Sequence, residues 1–260
     1  MRWIYLSPHL DDAVLSCGGL IAEQRLQKLE VEVWTIFAGM PSEQAGGLLA
    51  TYLHARWGFA NGPQAVRERI EEDRRALSML PAKPRYFPFL DCIYRQDQDG
   101  QPLYENIFSP LHPAESDLPA RIAAVLQEHL GEDDVLVSPL AIGAHIDHVI
   151  VRQASEMLAR PLWGYAEVPY LFRSPQELEE KTQKLQSVLF PVSFWGKKAW
   201  LSACGAYHSQ IGELFDSEEA MQKAMQEYAE RENGIRLWKI KEESPAKSRF
   251  TAEFTKYTEN

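Results

Sequence analysis

Short apolar runs alternate with longer amphipathic stretches along most of this 260-residue chain, the pattern of an α/β domain on a largely parallel sheet. Residues 3–6 (WIYL) predict a first strand and 14–29 the helix behind it. VEVWTIF over 31–37 predicts a second strand, stopped by Ala38-Gly39. Pro63 suits a first helical turn. Val66, Ile70, Leu77 and Leu80 leave one apolar stripe among charges, so 63–80 predicts an amphipathic helix. Residues 84–90 read as a third strand. Ser116 is placed to cap a helix running to about residue 130, with Asp117 favouring its positive end. DVLVSPL over 134–140 predicts a buried strand, 148–158 a helix and 162–168 another strand. From 174 onward the pattern is mostly helical, closing on a strand at 235–240.

No internal repeat or low-complexity tract interrupts this order. The length suits one domain over 1–260, with 171–260 as a mostly helical cover of the same domain. Residues 92–115 lack periodicity and hold prolines, aspartates and Gly100. A loop this long inside a compact domain is usually a binding segment or a lid, so an active-site loop is expected there. The plain alternative is a surface insertion.

Composition narrows the partners. With 45% hydrophobic and 25% charged residues the chain is an ordinary globular one. A formal net charge of -10 repels phosphate backbones and argues against nucleic acid, although a few local arginines can still hold a small anion. Cys17, Cys92 and Cys204 are odd in number and far apart, which fits a reducing cytoplasm better than a disulfide framework. No run of about 18 apolar residues predicts a membrane span. The opening apolar run is too short for a signal peptide. A cytoplasmic protein is expected.

Polar residues gather at two strand ends. Ser7-Pro8-His9-Leu10-Asp11-Asp12 follows the first strand and precedes a helix, and in open α/β sheets ligands collect beyond the carboxyl ends of strands. A helix N-terminus favours ionised Asp11 and Asp12. Adjacent carboxylates repel, and a cation beside them relieves the repulsion. Singly, either aspartate reads as a cap and His9 as a loop histidine; together they favour a metal. Gly143-Ala144-His145-Ile146-Asp147-His148 follows the strand at 134–140. His145 and His148 project from one face of a starting helix, with Asp147 a cap or an orienting partner for an imidazole. Two histidines and a carboxylate match a known ligand set for zinc hydrolysis. The remaining side chains are available for acid–base work and oxyanion stabilisation.

These residues resemble a known family. PHLDDAVLSCGG and HIDHV are similar to the paired motifs of the LmbE-like, or PIG-L, family of N-acetylglucosaminyl deacetylases, which carry Pro-His-x-Asp-Asp-Glu and later His-x-Asp-His. Lys198-Ala199 and Tyr207-His208-Ser209-Gln210 look like further elements of that family. The resemblance implies a Rossmann-like, mostly parallel α/β sheet flanked by helices. It implies a metal-dependent hydrolase that removes an N-acetyl group from an amino-sugar-containing small molecule or glycoconjugate. Zinc is the implied ion, and ligand identity alone does not separate it from Fe(II). By the same resemblance His9, Asp12 and His148 would be metal ligands and Asp11 the general base. His145 would stabilise the oxyanion, with Asp147 tuning that histidine. Arg67 resembles a family arginine that holds an anionic or polyol part of the ligand; its plain reading is a surface partner of Glu71. Asp91, at the end of the third strand, is placed to accept hydrogen bonds from sugar hydroxyls, with Tyr94 and Arg95 beside it as binding candidates.

Two departures stand out. Ala13 replaces the family's usual Glu, and no tyrosine precedes His145, so another group, from the 92–115 loop, is expected to assist the oxyanion. Cys17-Gly18-Gly19 predicts tight packing of the first helix on the sheet.

Rival classes remain. A non-catalytic carbohydrate- or nucleotide-binding relative would keep the fold, but no Gly-x-Gly-x-x-Gly is present and two aspartates repel a pyrophosphate. His-x-Asp with a distant His also fits an Fe(II) oxygenase, an activity usually carried on a jelly roll. The expected partner is a small-molecule N-acetylated sugar or glycoconjugate; homo-oligomer formation is left open.

Overall fold

The computed structural model describes residues 1–241. Seven strands form one sheet: β1 (Arg2–Ser7), β2 (Glu30–Thr35), β3 (Lys83–Tyr86), β4 (Val135–Pro139), β5 (Leu162–Tyr165), β6 (Ser187–Pro191) and β7 (Gly234–Lys241), in the order β3-β2-β1-β4-β5-β7-β6. The strands from β1 to β5 are parallel, and β7 runs antiparallel to both β5 and β6. The expected mostly parallel α/β sheet is therefore present. Its helices are α1 (Asp12–Leu26), α2 (Leu48–Trp57), α3 (Gly62–Met79), α4 (Leu118–His129), α5 (Ile146–Met157), α6 (Tyr170–Arg173), α7 (Pro175–Thr182), α8 (Phe194–Cys204), α9 (His208–Leu214) and α10 (Glu218–Glu232).

Alternation along the buried strands separates two cores. Trp3 and Tyr5 of β1 join Val135 and Val137 of β4 on one face, against α1, α8 and α10. Ile4, Leu6 and Leu136 face the other way, against α4 and α5. Strands covered on both sides read as continuous apolar runs, which is why β1 and β4 were visible from sequence. Gly18 lets α1 approach α8 rather than the sheet. A Cβ there would lie 2.4 Å from Trp200 Cδ1, and Trp200 Nε1 donates to Val14 O at 2.8 Å.

Several elements depart from expectation. The third strand stops at Tyr86, and beyond it Phe37 and Pro88 form an isolated bridge. Residues 40–62 held no predicted element, yet α2 lies there. Leu48 is 91% and Tyr52 56% exposed, so its apolar residues do not form one stripe. Ser116 does not cap α4; it ends a 3₁₀ turn over Pro113–Glu115, and Asp117 takes the cap position without a side-chain bond. Pro119 in the first turn has no N–H to satisfy. Beyond residue 171 the helices come with β6 as well as β7. Among the described residues β6 pairs only with β7, as a short edge strand ended by Pro191. Residues 242–260 of the expected C-terminal cover lie outside the described residues. Among the described residues, no helix is long and apolar enough to cross a membrane.

Candidate active site

The strand order reverses direction beside β1: β2 and β3 extend one way, and β4 and β5 the other. In open α/β sheets ligands bind where the connections diverge in this way, beyond the carboxyl ends of the two strands. The first motif follows β1 and the second follows β4, so segments more than 130 positions apart meet there.

Asp11 occupies the N-cap position of α1 yet makes no side-chain cap bond. Ser7 does that work, its Oγ accepting from Ala13 N at 3.0 Å and donating to His9 O at 2.6 Å. The Asp11 carboxylate is thus not engaged in capping the helix. Asp12 accepts from His9 N at 2.8 Å. Its Oδ2 lies 3.2 Å from His9 Nδ1, and its Oδ1 lies 3.3 Å from His148 Nε2. His9 Nδ1, the Asp12 carboxylate and His148 Nε2 converge closely enough to ligate one ion.

The other nitrogen of each imidazole rests on a carboxylate. His9 Nε2 is 3.1 Å from Asp147 Oδ2, and His148 Nδ1 is 3.3 Å from Glu167 Oε1. Carboxylates behind the ring fix tautomer and orientation in metal-binding histidines, so the donor set fits a divalent cation. His9, His145 and Asp147 form an overlapping set, but Arg95 Nη2 stands 2.6 Å from Asp147 Oδ1. A fixed guanidinium there disfavours a second cation.

Electrostatics agree. Burial opposes charge on His9 and His148, yet Asp91, Asp12 and Asp147 hold the His9 pKa well above its usual value. Asp12 and Glu167 similarly raise His148 to about 9. The pocket prefers positive charge at these positions. Burial, then neighbouring Asp12, pushes Asp11 up to about 6, with Arg69, His9 and His148 acting the other way. His145 differs: burial, His9 and His148 hold it well below the ordinary imidazole value, so it is neutral. Its Nδ1 accepts from Asp147 N at 3.2 Å, which leaves the proton on Nε2 as a donor.

The remaining expected residues are distributed differently. Asp147 orients His9, not His145, through its side chain. Asp91 Oδ1 accepts from Ile93 N at 3.2 Å while Oδ2 lies 3.8 Å from His9 Nε2. Tyr94 is buried against α2, its hydroxyl 2.8 Å from His54 Nε2. Arg95 is buried between Asp147 and Glu115, so neither presents a free group to a ligand. Arg67 is exposed on α3, and Glu71 pairs with Arg74 instead. Two residues on, hence on the opposite side of the helix, buried Arg69 lies 3.6 Å from Asp11 and 3.8 Å from Asp91, over the Trp57 ring.

Three contributors were missed. Arg69 falls in phase with the buried residues Val66, Asp73, Ala76 and Leu77 of α3, a signal the sequence carried. Glu167 is a lone carboxylate in the apolar run after β5. Tyr170 of α6 sets its ring 5.6 Å from that of His148, and Gly143 packs against it. Phe108 of the 92–115 loop faces His145 at 6.3 Å. The later elements lie off the metal cluster: Tyr207 donates to Asp73 at 2.8 Å and Ser209 to Glu72 at 2.6 Å, tying α9 to α3.

Comparison with known proteins shows which chains this one is similar to. The chain is 31% identical over 238 residues to a 2'-N-acetylparomamine deacetylase of Niallia circulans, covering 83% of each. It resembles the structure of a deacetylase–bog complex from the teicoplanin biosynthesis pathway (TM-score 0.77, 28% identity, 92% and 97% coverage). A zinc-inhibited form of teicoplanin deacetylase is similar at TM-score 0.75 and 27% identity, with the same coverage. The family described as PIG-L, GlcNAc-PI de-N-acetylase, matches residues 4–159, more than half of the chain and both motifs. With relatives and fold in agreement, the chain belongs to the PIG-L (LmbE-like) family of metal-dependent N-deacetylases.

Proposed function

We propose that this protein hydrolyses the N-acetyl amide of an amino-sugar glycoside, with a zinc ion held by His9 Nδ1, the Asp12 carboxylate and His148 Nε2. One observation carries the reading: both imidazoles turn one nitrogen towards Asp12 and brace the other on a buried carboxylate. When bound, the ion supplies Lewis acidity and lowers the pKa of water.

The chain's own groups supply the rest. Asp11 has no capping duty and accepts the proton of the attacking water. Neutral His145 offers Nε2–H to the oxygen that gains charge as the amide carbon becomes tetrahedral. Asp11, then carrying the proton, is placed to return it to the departing amine. Arg69, held beside Asp11 and Asp91, faces polar oxygens of the sugar, the role first expected of Arg67. The Niallia circulans relative is named for an N-acetylated aminoglycoside substrate, which supports a glycoside over a free monosaccharide.

The test is acetate release from N-acetylglucosamine and a panel of N-acetylglucosaminides, with and without chelator. Zinc-dependent acetate release, faster on the glycosides, is expected. Saccharide binding without acetate would place the chain among non-catalytic relatives.

A further inference from the structure

Beyond Arg95 the 92–115 loop is exposed along much of its length, yet the polar side chains of Arg95, Tyr104 and Glu115 are buried. They form an ionic chain that starts at His9. Asp147 Oδ2 stands 3.1 Å from His9 Nε2 and accepts from Cys92 N at 3.0 Å. Asp147 Oδ1 is 2.6 Å from Arg95 Nη2, and Arg95 Nε is 2.9 Å from Glu115 Oε1. The Tyr104 hydroxyl donates to Glu115 Oε2 at 2.8 Å and accepts from His112 N at 3.0 Å. The Arg95 guanidinium also lies between the rings of Phe37 and Tyr104, 5.0 and 5.2 Å from their centroids.

Physical chemistry makes this an all-or-none arrangement. Asp147 has no exposed surface, and a buried charge is tolerated only with its partner in place. Arg95 separates and neutralises two carboxylates that would otherwise repel. Glu115 arrives from the far end of the loop, so Arg95 is held between them only when the loop is folded. A ligand imidazole is fixed by what its second nitrogen meets.

We propose that Arg95 and Glu115 are positioning residues which set His9 for the ion through Asp147, so that folding of the loop and ion affinity are one coupled equilibrium. This rests on the zinc reading above. Linkage then requires reciprocity: the factor by which the ion favours the folded loop equals the factor by which the folded loop raises ion affinity.

The experiment uses the full chain and zinc alone. Zinc affinity is read by competition with a chromophoric chelator, and amide hydrogen exchange over 104–115 is followed with and without zinc. In the wild type, zinc slows exchange across that segment. Glu115→Gln and Tyr104→Phe should each weaken zinc binding by roughly three- to tenfold, at or below the range for partners behind a ligand histidine, and should lose most of the zinc-induced protection. Tyr104→Phe leaves every charge in place, so electrostatics alone predicts no change in it. A purely structural role lowers the melting temperature and spares affinity. The exchange measurement on the wild type needs no variant to fold. Unchanged affinity in both variants, or exchange indifferent to zinc, overturns the inference alone. A wild type that takes up no zinc overturns the zinc reading with it.

Discussion

Glu167 gives the sharpest single perturbation, because it braces a ligand without touching the reacting atoms. Its carboxylate is fully buried; Oε1 lies 3.3 Å from His148 Nδ1 and Oε2 accepts from Ile142 N at 3.2 Å. Glu167→Gln keeps the shape but supplies one acceptor for two donors, so one contact becomes donor against donor. An unmet buried group costs about 1–3 kcal/mol of stability in the ion-free protein. Loss of the brace behind a ligand histidine lowers metal affinity by about 10–100-fold. With free zinc at about 1,000 times the wild-type Kd, binding stabilises the wild type by about 4.1 kcal/mol, and the variant by roughly 1.4–2.7 kcal/mol. Denaturant unfolding with and without zinc measures both terms on one sample. If the variant loses stability but gains as much from zinc as the wild type, Glu167 is packing and His148 needs no brace.

Other expectations follow from single distances and charges. Asp11→Asn should bind zinc normally and release acetate roughly two to four orders of magnitude more slowly, the range for a lost general base; normal turnover would mean the base is elsewhere. Gly18→Ala places a methyl 2.4 Å from Trp200 Cδ1 and should destabilise the fold by about 1–3 kcal/mol, read from the urea midpoint; no loss would show that α1 and α8 slide apart freely. Asp73 is pushed from its ordinary 3.8 to about 6 by burial, against the hydroxyls of Tyr207 and Tyr86. The folded protein thus holds a proton there that the unfolded chain has released. Asp73 contributes stability below about pH 4 that is lost as pH rises through 6. Relative to Asp73→Asn, the wild type should lose about 3 kcal/mol across that window; a difference flat with pH would refute the buried titration.

Much of the site was legible because its information is local. His9, Asp11 and Asp12 come just after one apolar strand and His145 and His148 soon after another, and polar residues beyond strand ends are conspicuous in sequence. What was missed is long-range or a matter of helical phase. Nothing local says that Glu167 reaches His148, or that Asp147 turns to His9 because Arg95 and Cys92 hold it there. Arg67 is exposed, and buried Arg69, about half a turn round the same helix, is the one beside Asp11. The fold shows the same division. Doubly covered β1 and β4 announced themselves, whereas edge strand β6 is short and partly exposed, and α2 carries apolar side chains on its solvent side.

Metal stoichiometry in the wild type and in His148→Ala, paired with circular dichroism of each, addresses the meeting of the two motifs most directly. One tightly held divalent ion per wild-type chain is expected, and its loss from a variant whose helix and strand content is unchanged. An ion retained with wild-type affinity by the folded variant would mean that the segment after β4 has no share in the metal centre.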